Sequence, residues 1–193
     1  MTPVLLRAAP WPALLALSTA GAVTGVLASA LQGAPALRLL QCALVLLGAA
    51  GACALDDPAA AVTAACPVSR ARQVAARVGA ATVPLLVGTA LLAGWSLGKQ
   101  VDRLLVVQLT GCWLLGLGLA VLARLRLDEP AELVAAAMLM LLLTTMFVDA
   151  VGSRLVLFPL GGQLQRGVRT WELLMAGCAI ALVLAVRERR WSH

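Results

Sequence analysis

Asp56 and Asp57 are adjacent carboxylates at the end of a long uncharged stretch. Paired acids at a membrane edge can hold a divalent cation against a lipid diphosphate, so a small integral-membrane enzyme is one reading of the chain. Such a site needs further carboxylates at helical spacing, and none follow. The pair also fits a helix start, with Asp57 at the N-cap and Pro58 at the first helical position. Asp149 is the acid most embedded in apolar sequence, and Arg154 is close enough along the chain to pair with it. An acid inside an apolar segment is a functional candidate, and an ion pair at the outer interface fits equally well. Catalysis finds little else. The only histidine is His193, the last residue, which removes haem ligation, His-ligated zinc and Ser-His chemistry. No GxxxxGK[ST] phosphate cradle or HExxH is present. Cys42, Cys53, Cys66, Cys112 and Cys178 show no CxxC spacing and read as small buried apolar residues, with no disulfide framework and no metal site.

The elements that must position these residues are set by composition. Of the 193 residues, 62% are hydrophobic and 12% charged, with a mean hydropathy of +0.96. Soluble domains are about 45–50% apolar and about 25% charged. Both an ordinary soluble fold and a disordered chain are excluded, and an integral membrane protein remains. At ~20 apolar residues per crossing there is room for about six spans and no sizeable soluble domain. If the protein uses ATP, another chain must hydrolyse it. The net charge of +6 comes from arginines at membrane edges, with Lys99 the only lysine. It is read as headgroup and topology charge, with no nucleic-acid partner.

Uncharged stretches place spans at about 12–31, 37–55, 79–98, 103–123, 131–150 and 170–188, an all-α polytopic membrane domain covering 1–193. Gly111, Gly116 and Gly118 are expected to pack helices rather than bind a ligand. Arg7, an apolar run and Ala28-Ser29-Ala30 follow the order of a signal peptide. The run is long, however, and the first span is expected to be a retained helix. With a cytoplasmic N-terminus, nine basic residues fall inside and six outside, which favours both termini in the cytoplasm.

Two connectors are long. The inner one, 56–78, reads as a capped Ala-rich helix stopped by Pro67, then an amphipathic stretch with Arg70, Gln73 and Arg77 on one face. It is either a connector lying on the membrane or a short rigid helix for a partner to grip. The outer one, 151–169, contains the apolar run Leu155–Leu160, too short to cross and ended by Gly161-Gly162. It is expected to form a re-entrant or surface-lying hairpin, which requires protein to cover its backbone.

This order of helices and connectors resembles the type-2 ABC exporter permeases. The stretch Ala54-Leu55-Asp56-Asp57-Pro58-Ala59, followed by Cys66-Pro67 and arginines, is similar to small actinobacterial ABC transporter membrane subunits. The resemblance implies that 56–78 is a coupling region in which Asp56, Asp57, Pro58, Pro67, Arg70 and Arg72 meet an ATPase. It implies an outer gate at Asp149, Arg154 and Phe158, and an elbow on the inner leaflet near Trp11. A transport path would run along the second and fifth spans, with Met138, Thr144, Thr145, Met146 and Phe147 facing an amphiphilic or hydrophobic cargo. For Met138, Met140 and Met146 plain helix packing is the favoured reading. ATP and Mg would sit on separate ATPase subunits. A second copy or related permease would complete the membrane part, in a bacterial plasma membrane. A lipid-diphosphate enzyme and a non-catalytic accessory subunit are the competing readings.

Overall fold

The computed structural model describes residues 11–54, 70–96, 103–123, 131–151, 157–158 and 164–188. They form six α-helices and, among the described residues, no strand: α1 (Trp11–Ser29), α2 (Gly33–Cys53), α3 (Arg70–Ser96), α4 (Arg103–Ala123), α5 (Ala131–Val151) and α6 (Leu164–Glu188). Helices α1, α2 and α4 are long and apolar enough to cross a membrane, which points to a membrane protein. α3 begins at Arg70, so the amphipathic stretch expected from Arg70 and the span expected from 79 are one helix, because nothing between them breaks a helix once nucleated. α2 begins at Gly33 rather than 37, and α6 at Leu164 rather than 170.

α2 is the centre of the bundle, packing against α1, α3, α4 and α5, while α6 packs on α4. Its inner surface combines Leu40, Leu44, Val45 and Leu47 with many small residues. Ala43, Ala49, Ala50, Ala52, Gly48 and Gly51 are all buried. Large apolar side chains such as Val26, Leu86, Leu133, Met140, Leu173 and Ile180 lie exposed on the outside. Small residues at the helix contacts and large apolar ones on the outside suit a bundle in lipid, where close backbone approach holds helices together.

The closest approach is between α2 and α4. A Cβ on Gly48 would stand 2.7 Å from the Cys112 carbonyl oxygen, and one on Gly116 would run into the Gly48 carbonyl. The pairs Gly48–Cys112 and Ala52–Gly116 advance together, so α2 and α4 run in the same direction. Gly111 meets Trp171 and Gly118 meets Cys178, so α6 runs that way too. α3 is antiparallel to them, since Gly88 meets Leu109 while Trp113 reaches Ala81. Pro84 lies inside α3 and cannot donate to the backbone one turn earlier. The Trp113 indole donates to the Ala81 carbonyl at 2.6 Å, one residue along from the Ala80 carbonyl that Pro84 leaves without its ladder donor. At the tight link between α1 and α2, Gly33 has φ +72°, a conformation that L side chains rarely adopt.

Candidate functional site

Because α2, α4 and α6 are parallel, their N-terminal turns meet at one end of the bundle. Arg38 and Gln41 come from α2, Gln108 from α4 and Trp171 from α6. Between them sits an irregular piece of the α5–α6 connection, Leu157-Phe158, whose side chains are buried; Phe158 is 0% exposed. It joins the core cluster of Val45, Ala49, Leu104, Val134, Met138 and Trp171. The Phe158 and Trp171 rings meet edge-to-face with centroids 5.6 Å apart.

Non-helical backbone buried in an apolar bundle needs partners for its carbonyls. Three helices supply them. The Trp171 indole donates to the Leu157 carbonyl at 2.6 Å, and Gln108 Nε2 donates to the same oxygen at 3.1 Å, using both lone pairs. Arg38 Nη1 donates to the Phe158 carbonyl at 3.0 Å and to Gln41 Oε1 at 3.3 Å. The apolar run is therefore covered by protein at Leu157-Phe158, and its cover is a set of specific side-chain donors. Two buried groups stay unpaired beside it, Gln41 Nε2 and Gln108 Oε1. Each such group costs about 1–3 kcal/mol.

The other residues singled out from the sequence fall in several places. Met138 is buried in the core cluster and Thr145 is buried. Thr144 is exposed and donates to the Met140 carbonyl at 2.7 Å, so its hydroxyl proton is used within its own helix. Met138, Thr144 and Thr145 do not share one open face. The backbone positions of Met146, Phe147 and Asp149 lie in α5, and those of Arg70 and Arg72 in the first turn of α3. Asp56, Asp57, Pro58, Pro67 and Arg154 lie outside the described residues. Cys42, Cys53, Cys112 and Cys178 form no disulfide, and Cys53 and Cys112 are buried.

Sequence reasoning passed over Gln41, Gln108 and Trp171. A signal for the two glutamines was present, because each is a polar residue within a stretch otherwise apolar and uncharged. At the surface of the same end, Arg103 Nη2 pairs with Glu172 Oε1 at 2.9 Å, but the two side chains are 79% and 43% exposed. Exposed pairs contribute about 0–1 kcal/mol. Arg103→Ala and Glu172→Ala are each expected to leave the unfolding midpoint in detergent close to wild type. On the outer side of α4 and α6 an apolar groove of about 510 Å³ runs along Leu115, Gly118, Leu122, Leu173 and Gly177.

Compared with protein-family models, with curated proteins and with solved structures, the chain finds no match in any of the three. Its function is therefore argued from its own residues.

Proposed function

We propose that the chain is a membrane-spanning permease subunit of an ATP-driven transporter, of the type-2 ABC exporter kind. In this reading all six helices cross a bacterial plasma membrane with both termini in the cytoplasm. The cargo is an amphiphilic or hydrophobic small molecule, lipid or peptide. The observation that carries the reading is the buried Leu157-Phe158 piece between α5 and α6, served by donors from three helices at one bundle end. An enzyme or a passive anchor has no evident need for an irregular apolar segment inserted there. A transporter does, because such a segment closes one end of a pathway while leaving it able to open. At the opposite end lie the C-terminus of α2 and the N-terminus of α3. The connector between them, with Asp56, Asp57, Pro58 and Pro67, would take the push of an ATPase that holds ATP and Mg. A second copy of the chain or a related permease would complete the pathway.

The test is assembly. Candidate ATPases encoded near the gene are co-expressed with the tagged chain and purified through it. Wild type is expected to retain one of them, and Asp57→Lys to lose most of it while remaining monodisperse. Retention of no ATPase by wild type, or equal retention by Asp57→Lys, would remove the coupling role from this connector.

A further inference from the structure

Gln41 and Gln108 are each completely buried and each half used. Gln41 spends its oxygen on Arg38 and has an idle donor, Nε2; Gln108 spends its nitrogen on the Leu157 carbonyl and has an idle acceptor, Oε1. The idle groups are complementary. They also stand at one level of the α2–α4 contact. Gly48 on α2 lies against Cys112 and Gly116 on α4, and two helical turns back from that point lead to Gln41 and to about Gln108. Their neighbours on the two helices, Leu40, Leu44, Leu105 and Leu109, belong to one packed cluster.

We propose that Arg38, Gln108 and Trp171 form a releasable latch on Leu157-Phe158, and that Gln41 is the exchange partner that makes release possible. In the latched state three donors hold two adjacent carbonyls, and the two amides are left with one unpaired group each. When the segment withdraws, Gln108 loses the Leu157 carbonyl and turns to Gln41, so that each amide satisfies the other's idle group. The buried cost moves from one state to the other instead of adding to the released state, which keeps the two states close in free energy. Gln41 thus favours the open state, whereas Arg38 and Trp171 favour the closed one. The inference rests on the reading of Leu157-Phe158 as the cap of the bundle's outer end, and it gives that cap its switch.

The two roles have opposite signs, and this makes them separable. Leu157→Cys is introduced into a chain whose five native cysteines are alanine. The purified chain is reconstituted in phospholipid vesicles and labelled with a membrane-impermeant maleimide. Loss of the charged donor in Arg38→Gln is expected to raise the labelling rate about tenfold. Trp171→Phe, which keeps the ring and removes the donor, is expected to raise it in the same direction. Gln41→Leu is expected to lower the rate about threefold below the parent chain, because it removes the partner of the released state. If Gln41→Leu instead raises labelling, Gln41 merely steadies Arg38 and the exchange is wrong. If Arg38→Gln and Trp171→Phe leave the rate unchanged, there is no latch. Gln41→Met serves where the leucine variant does not fold. Labelling reads the segment without any ATPase, so failure of the transporter reading and failure of the latch appear in different experiments.

Discussion

Gly116→Ala is expected to destabilise the protein by about 3 kcal/mol or more, the upper end of what overpacking costs. The added methyl would meet the Gly48 carbonyl, which is backbone and cannot turn aside as a flexible side chain does. α2 and α4 would have to separate, and α2 is the helix on which α1, α3 and α5 also pack. Gly48→Ala meets the Cys112 carbonyl from the other side and is expected to behave alike. The controls are Gly79→Ala and Gly177→Ala, both helical and with nothing within 4 Å of an added Cβ. They are expected to be neutral or to gain up to about 1 kcal/mol from helix propensity. Unfolding midpoints in detergent decide between these outcomes. Equal effects at all four glycines would mean that α2 and α4 do not cross at Gly48.

The second large effect belongs to Trp171. Its ring is wholly buried, lies on Gly111, meets Phe158 and donates to the Leu157 carbonyl. Trp171→Ala is expected to cost about 3–5 kcal/mol. Gly111→Ala drives a methyl into the same ring, at Cε3 and Cζ3, and should cost about 1–3 kcal/mol in the wild-type chain. In a Trp171→Ala background the ring is gone, so the added methyl should be harmless or should fill part of the cavity. The pair is therefore expected to be strongly non-additive by unfolding midpoint. Simple additivity would place the ring elsewhere.

How far the fold was legible depends on the kind of signal. Uncharged stretches marked where helices lie, because charges are excluded from apolar surroundings whatever the tertiary structure. Gly116 was legible as a packing residue, but its partner Gly48 was not, since contact between two glycines leaves no mark in either local pattern. The apolar run Leu155–Leu160 stood out as too short to cross, and its described part, Leu157-Phe158, is buried as a covered segment must be. The cover itself was hidden. Arg38 read as a headgroup charge at a helix edge, and the Phe158 carbonyl that it binds lies 120 residues away. Gln108 and Trp171 converge on the Leu157 carbonyl from positions 49 and 14 residues distant, a relation set by parallel helix packing rather than by spacing. Met138 packs in the core as its composition alone suggested.

The proposed role as the membrane half of an ATP-driven transporter is tested most directly by ATP hydrolysis. The rate is measured for the partner ATPase alone, for the complex with the wild-type chain, and for the complex lacking Pro58–Cys66, all in the same lipid nanodiscs. Hydrolysis is expected to appear only in the wild-type complex and to fall to the level of the lone ATPase when the connector is removed. Hydrolysis indifferent to this chain, together with turnover of a lipid diphosphate by the chain alone that Asp56→Asn abolishes, would contradict it and return the acidic pair to catalysis.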